Sequence, residues 1–382
     1  MELEIQKYLR EHGEEAAFKH FREELFLAVK EAADGKRVLF KYNQIDSPMA
    51  NPMCQEARGI ILDRSDNWKV LSWPFRKFFN YGEGHAAKLD LSTARVLEKV
   101  DGTCISLYFF DGSWRVQTLG MLDAEGEVNN KFPPETFAEL FKKTLGDDKF
   151  EYLWPKYTYT FELATPYNRV VTRYEKDRIV LLSIRHLKSL TEVGYGSPQF
   201  LAYYEEIKMA VPIVELPKTY SVAVNSLEEV AKMAMTLPQM DEGYVVVDAN
   251  FNRVKVKNPS YLALLHLKES SSSSITALVQ LVLTNEGSEF LSYFPEFTDQ
   301  YNRISTAIKE IKDKVQDIWE KAKHIENQKE FALTILAPKV PFVNTLFEIR
   351  KGKIKSVDEG FSSLDPKKVV ETLRMSDAKH ED

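Results

Sequence analysis

Near Tyr261 the period of the sequence changes, and that change limits the chain more than any single residue does. Before it, short runs rich in β-branched and aromatic residues recur at 37–42, 57–63, 68–72, 94–99, 103–110, 114–119, 157–163, 178–184, 243–248 and 253–257. Each has the length of a strand and is bounded by turn residues. After Tyr261 the alternation stops, and apolar residues fall at helical spacing over 274–283, 300–322, 328–335 and 366–375. The pattern predicts an α+β domain of largely antiparallel sheet with flanking helices at 1–262, followed by an all-helical domain at 263–382. Residues 5–33 carry the spacing of one or two surface helices ending near Asp34-Gly35, and helices are expected at 134–145 and 226–237. The latter opens on Ser226-Leu227-Glu228-Glu229, a capping-box pattern. The serine-rich stretch 269–274 reads as a loop or linker, and no internal repeat is present.

A length of 382 residues, with 44% hydrophobic and 28% charged, suits two well-cored globular domains. Cys54 and Cys104 are the only cysteines, which excludes a disulfide framework and favours a reducing compartment. The start Met1-Glu2-Leu3-Glu4 is acidic where a secretory signal is basic, and no apolar run reaches membrane-spanning length. A cytoplasmic chain without a membrane partner is expected. The net charge of −6 gives no global attraction for nucleic acid. Basic residues do recur at Arg58, Arg76-Lys77, Arg169, Arg173, Arg185 and 253–257, which describes either a positive groove on an acidic body or scattered solvated charges.

Lys99-Val100-Asp101-Gly102 places a lysine between two strand-like runs, the second closed by Asp111-Gly112, a strong two-residue hairpin signal. A lysine on a short turn held by sheet on both sides has an amine that can be aimed, although a surface turn has the same pattern. Attack by lysine requires the neutral amine, which nearby cations and a desolvated pocket favour. Lys255 and Lys257 alternate along a strand and therefore share a face, as a pair of phosphate-binding cations or as an exposed strand face.

Taken in order, the chain offers Glu56-Ala57-Arg58-Gly59-Ile60, Lys77-Phe78-Phe79-Asn80, the Lys99 turn, Phe161-Glu162-Leu163, Pro166-Tyr167-Asn168-Arg169-Val170-Val171, Glu242-Gly243-Tyr244-Val245 and Lys255-Val256-Lys257. All but the asparagine-ended run of Lys77 lie in or beside strand-like segments. This order resembles that of the covalent nucleotidyltransferases, the ATP-dependent DNA and RNA ligases and capping enzymes. The closest resemblance is to the T-even phage RNA ligase 1 family. It implies an ATP-grasp-like ligase adenylation domain, and an RNA ligase that joins 5′-phosphate to 3′-hydroxyl ends through a lysyl-AMP intermediate and an RNA-adenylate, using ATP and Mg2+.

The resemblance assigns roles residue by residue. Lys99 is the nucleophile; Lys255 and Lys257 bind the α-phosphate and assist pyrophosphate departure. Arg58 and Lys77 hold nucleotide phosphates or the RNA end, Glu162 the ribose, and Glu242 the metal. Tyr42 matches a family tyrosine beside the nucleotide, whereas Tyr244 reads equally as core. Each glutamate has a bland alternative, pairing with Arg58 or Arg169. Two departures stand out. The family carries two alternating lysines after the hairpin, where this chain reads Val116-Gln117-Thr118-Leu119-Gly120, and Val100 replaces an acid. The relatives also suggest a monomer, a cleaved tRNA as one substrate for the helical domain, and a phage-encoded chain acting in a host cytosol. Glu286 and Glu289 receive no role. No Walker-type phosphate loop is present, so ends are expected to arrive already healed. The competing readings are a DNA ligase or capping enzyme, which would append a β-barrel where this chain turns helical, and a non-catalytic RNA-binding protein on the same fold.

Overall fold

The computed structural model describes residues 2–128, 133, 135–146, 150, 152–221, 224–262, 274–293 and 295–373. The chain divides into two compact units, Met1–Tyr261 and Leu262–Asp382. Residues 269–273 of the serine-rich stretch lie outside the described residues.

In the first unit, β1 (Ala28–Glu31), β2 (Arg37–Lys41), β3 (Arg58–Asp63) and β4 (Lys69–Ser72) form an antiparallel sheet in that order. Helices Glu4–His12 and Glu14–Glu23 are separated by Gly13 at φ 76°, a conformation that suits glycine. They bury Ile5, Leu9, Phe18 and Phe21 against Phe40, Ile60 and Leu62 of that sheet. The expected helical stretch to residue 33 is thus cut short. Residues 28–31 are instead claimed by pairing with β2 across the Asp34-Gly35 turn, with Glu31 opposite Val38. Tertiary pairing here overrides a local periodicity that strand and helix share.

A second sheet runs β12 (Thr219–Tyr220), β6 (Arg95–Glu98), β13 (Gly243–Val247), β14 (Arg253–Lys257) and β5 (Phe79–Asn80). The third runs β11 (Val214–Glu215), β10 (Arg178–His186), β9 (Tyr157–Ala164), β7 (Thr103–Phe110) and β8 (Ser113–Thr118). Asp111 at φ 50° and Gly112 at φ 75° close the β7–β8 hairpin as a two-residue turn, with Phe110 opposite Ser113. Leu107, Tyr159, Phe161 and Leu181 of the third sheet pack with Phe141 of helix Phe137–Leu145 and Phe200 of helix Pro198–Ala210. The first of these helices starts at a Thr136–Glu139 capping box, and Pro134 lies outside the described residues. The sheets are not wholly antiparallel, because β5 pairs parallel with β14 and β11 with β10.

The topology matters for function at one place. The chain leaves the second sheet at β6 and enters the third at β7 through residues 99–102, so Lys99 stands where two sheets meet.

The second unit is helical throughout its described elements: Ser274–Thr284, Gly287–Tyr293, Thr298–Ala322, Gln328–Leu336, Thr345–Arg350, Val357–Ser362 and Pro366–Leu373. Leu278, Leu281, Ile304, Ile308, Phe331, Leu346 and Phe361 form its own core. The expected helix at 366–375 is described only to Leu373.

Candidate active site

Hydrogen bonds on three sides fix the Lys99 turn. The Lys99 backbone N–H donates to the Gly243 carbonyl at 2.9 Å, tying β6 to the start of β13. Asp101 is buried and accepts from the Val171 N–H at 2.9 Å, the Thr172 N–H at 2.6 Å and the Tyr261 hydroxyl at 3.0 Å. A carboxylate with this many donors holds its loop firmly. Asn168 accepts from the Thr165 N–H at 2.9 Å and donates to the Thr103 hydroxyl at 2.9 Å and the Leu163 carbonyl at 2.7 Å. The Pro166–Val171 run is therefore a brace for the lysine turn. Gly102 is required by close approach, since a Cβ there would lie 2.4 Å from the Leu163 carbonyl oxygen.

The Lys99 ammonium forms an ion pair with Glu242, Nζ to Oε1 2.5 Å, with side-chain exposures of 20% and 9%. Neither Arg58 nor Arg169 takes that acid. Glu162 lies in β9 opposite Cys104 of β7. Burial pushes the Glu162 carboxyl up to about 8, against the opposing pull of Lys99; Glu242 adds to the rise. The Cys104 thiol is pushed up to about 12, by burial first and by Glu162 second.

Cations surround these acids. Burial drives the Lys255 amine well below its ordinary value, and Lys77, Lys257, Arg58 and Lys99 lower it further by repulsion. Its ammonium lies 5.3 Å from the Phe78 ring centroid. Lys77 reaches this cluster because Phe79–Asn80 is itself an edge strand, pairing Asn80 with Lys255, although the Lys77 run read as lying away from strand-like segments. Lys77 Nζ donates to the Tyr42 hydroxyl at 3.1 Å and sits 4.6 Å from that ring's centroid. Burial raises the Tyr42 phenol, yet Lys77, Arg58 and Lys41 outweigh it and bring the group below its usual value. Arg58 lies over Phe75 and Phe78 at 5.7 and 5.0 Å, and its Nη1 is buried without a hydrogen-bond partner. A buried donor left open, inside a cluster of like charges, marks a place for an anion.

Other sequence candidates are not brought here. Arg185 and Arg253 both pair with Glu192 at 2.8 and 2.6 Å in a separate buried network. Glu56 is a structural brace, accepting from the Ile5 N–H at 3.1 Å. Tyr244 is core, packed edge-on against Tyr220 at 4.9 Å. Gln117, where the family pattern has lysine, is fully buried and donates to the Gly59 carbonyl at 2.8 Å. Lys41, beside Tyr42 at the end of β2, is given no role by the sequence.

A cavity of about 410 Å³ opens beside Lys99 and Glu242, with Tyr174, Lys218, Tyr220 and Met240 in its wall. Pockets for nucleotide-sized ligands have volumes of this order. Among the described residues no group of three or more His, Cys, Asp or Glu is placed to hold a metal by itself. A single carboxylate such as Glu242, with water and substrate phosphate oxygens, is a donor set that suits a hard divalent ion.

Residues 56–261 match the model of a family described as RNA ligase. The chain is 29% identical over 337 residues to an RNA ligase of Rhodothermus phage RM378, covering 72% of this chain and 75% of that one. It is 25% identical over 195 residues to RNA ligase 1 of bacteriophage TS2126, covering 46% of this chain and about half, 47%, of the relative. Among solved structures it is similar to an archaeal ATP-dependent RNA ligase, at 14% identity and a TM-score of 0.47, over 82% of this chain and 83% of that one.

Proposed function

The chain belongs to the T-even phage RNA ligase 1 family, and on that premise we propose that it is an ATP-dependent ligase sealing RNA ends through AMP carried on Lys99. The observation that supports this most is the overlap of charge around one amine. Lys99 stands between Glu242 and a cluster of Arg58, Lys77, Lys255 and Lys257 close enough to repel one another's protons. A protein gains little by crowding half-buried cations together unless an anion comes to occupy the site.

Three transfers follow. The lone pair of the neutral Lys99 amine attacks the α-phosphorus of ATP; a nitrogen–phosphorus bond forms, the bond to pyrophosphate breaks, and the amine loses a proton. A 5′-phosphate oxygen of RNA then attacks the same phosphorus, breaking that bond and returning Lys99 to its free form. Finally a 3′-hydroxyl attacks the RNA phosphorus, the phosphodiester forms, and AMP leaves. Phosphoryl transfer asks the protein mainly for alignment and charge neutralisation. Lys255, Lys257, Arg58 and Lys77 supply the cations, Glu162 faces the ribose, Tyr42 flanks the nucleotide, and the cavity beside Lys99 receives the base. A divalent ion such as Mg2+, held by Glu242 and phosphate oxygens, supplies further neutralisation when bound. The braces at Asp101 and Asn168 keep the amine aimed.

No described helix is long and apolar enough to cross a membrane. We assign the second unit a part in RNA contact, with cleaved tRNA among its candidate substrates, acting as a monomer in the cytoplasm. Labelled ATP with Mg2+ tests the central reading. It should leave a protein-bound adenylate that is stable to alkali and released by acid, as a phosphoramidate requires. Chelation of the metal should abolish it. Its persistence in Lys99→Ala would overturn the assignment.

A further inference from the structure

The register of the first sheet puts two like charges directly opposite each other. Lys41 at the end of β2 pairs with Arg58 at the start of β3, across a bulge formed by Gly59. Gly59 has φ 79°, and a Cβ there would lie 2.8 Å from the Leu119 carbonyl oxygen, so only glycine makes this turn without strain. Gln117 supports the bulge by donating to the Gly59 carbonyl at 2.8 Å. A directly opposed pair of cations is unfavourable in a sheet unless something compensates it.

A third cation extends the row. Ala28 of β1 is the partner of Lys41, so Lys30, two residues along, lies on the same face of the sheet. Its ammonium donates to the Gly120 carbonyl at 2.6 Å. Gly120 also adjoins Lys41: a Cβ on Gly120 would come 3.2 Å from the Lys41 Nζ, and its absence leaves that ammonium its place. The fields of Lys30 and Arg58 both act on Lys41. None of Lys30, Lys41 and Arg58 has a carboxylate within ion-pair distance among the described residues, and Arg58 Nη1 is buried with no acceptor. The chain carries more acids than bases, 57 against 51, so the omission of a counter-charge here is local.

We propose that Lys41, supported by Lys30, is a phosphate-binding position, continuing outward the row of cations that Arg58 begins. The ligand chemistry is a phosphate group. Its source is either the end of the nucleotide triphosphate or the RNA strand arriving at the adenylated enzyme. Lys41 stands beside the family-matched Tyr42, and the resemblance assigns Lys41 itself no role. The inference rests on the ligase reading above, because that reading supplies both phosphates.

The test uses the full chain with Lys41→Met, Lys41→Arg and the double variant Lys30→Met/Lys41→Met, in two arms. One measures adenylate formation against ATP concentration. The other measures sealing of RNA already adenylated at its 5′ end, without ATP. Lys41→Met should raise the half-saturating concentration in one arm by about tenfold, the scale of one lost charge-assisted contact. The affected arm identifies the source. Lys41→Arg should restore most of the loss. In the RNA arm, the dependence of log affinity on log salt should flatten by roughly one unit per cation removed. Both cations are exposed, so melting temperatures should stay close to the parent's, which separates this role from a structural one. An adenylate-forming enzyme in which Lys41→Met and the double variant stay within twofold of the parent in both arms overturns this inference alone. A parent chain that forms no adenylate on Lys99 and seals no adenylated RNA overturns both readings.

Discussion

Lys99 Nζ lies 2.5 Å from Glu242 Oε1, so the amine proposed to attack ATP rests in an ion pair with a largely buried acid. An ammonium has no lone pair, so the amine must give up a proton before it attacks. Removing one member of such a pair leaves the other charge buried and unpaired, whereas removing both does not. Lys99→Met alone should cost about 1–3 kcal/mol of folding free energy. Lys99→Met/Glu242→Gln should recover a substantial part of it, while both variants fail to form adenylate. Equal destabilisation of the single and double variants, read by urea unfolding, would show that the pair carries no coupling.

Glu162 imposes a pH dependence on stability. Its carboxyl is pushed up to about 8 in the folded chain, by burial against the favourable pull of Lys99, from an ordinary value of 4.5. Between those values the folded state binds more protons than the unfolded one, so stability falls as pH rises through the window and the loss is complete above the upper limit. Glu162→Gln removes that penalty. Its melting temperature relative to the parent should climb between about pH 5 and pH 9, even as nucleotide binding weakens. A difference that is flat or shrinks with pH would refute the assignment.

The phosphate-binding role proposed for Lys255 predicts that nucleotide binding is proton-coupled. Burial, then Lys77, Lys257, Arg58 and Lys99, hold its amine well below the ordinary value, which favours the neutral form. A bound phosphate opposes every one of those repulsions and draws a proton onto Lys255. Calorimetry of a non-hydrolysable ATP analogue, compared in buffers of different ionisation enthalpy, should therefore show net proton uptake that shrinks in Lys255→Met. Net release by the parent protein would be the contrary result.

The sequence showed the strands well where their length let alternation develop. Thr103–Phe110 and Arg253–Lys257 were read to the residue, and the Asp111-Gly112 turn followed from φ preferences that aspartate and glycine carry themselves. Elements of two residues, such as Phe79–Asn80 and Thr219–Tyr220, have no period to read, and they exist only because a longer neighbour offers an edge. Helices Thr345–Arg350 and Val357–Ser362 escaped for the same reason, each being under two turns. At the site, motif spacing indicated which residues would gather but not their partners. The capture of Glu242 by Lys99 and the opposition of Lys41 to Arg58 depend on sheet register, and for the second pair a bulge at Gly59 resets it. Likewise, nothing local to Pro166–Val171 reveals that its asparagine bridges to Thr103.

That bridge gives the last prediction. Asn168 is buried and uses both ends of its amide, accepting from the Thr165 backbone and hydroxyl and donating to Thr103 and Leu163. It touches no atom that reacts, yet Thr103 follows the lysine turn directly, and the neighbouring Val171 and Thr172 N–H groups hold Asp101 within that turn. Asn168→Ala leaves several buried groups without partners and should cost about 2–3 kcal/mol of stability. Asn168→Asp keeps the shape but sets a buried carboxylate oxygen against the Leu163 carbonyl that the amide had satisfied, so it should cost at least as much as Asn168→Ala. The effect on function should fall on the rate of adenylate formation at saturating ATP, with the half-saturating concentration little changed, because the cations proposed to bind phosphate are anchored on other strands. A loss confined to ATP affinity, with the saturated rate intact, would mean that Asn168 shapes the nucleotide site rather than aiming the lysine.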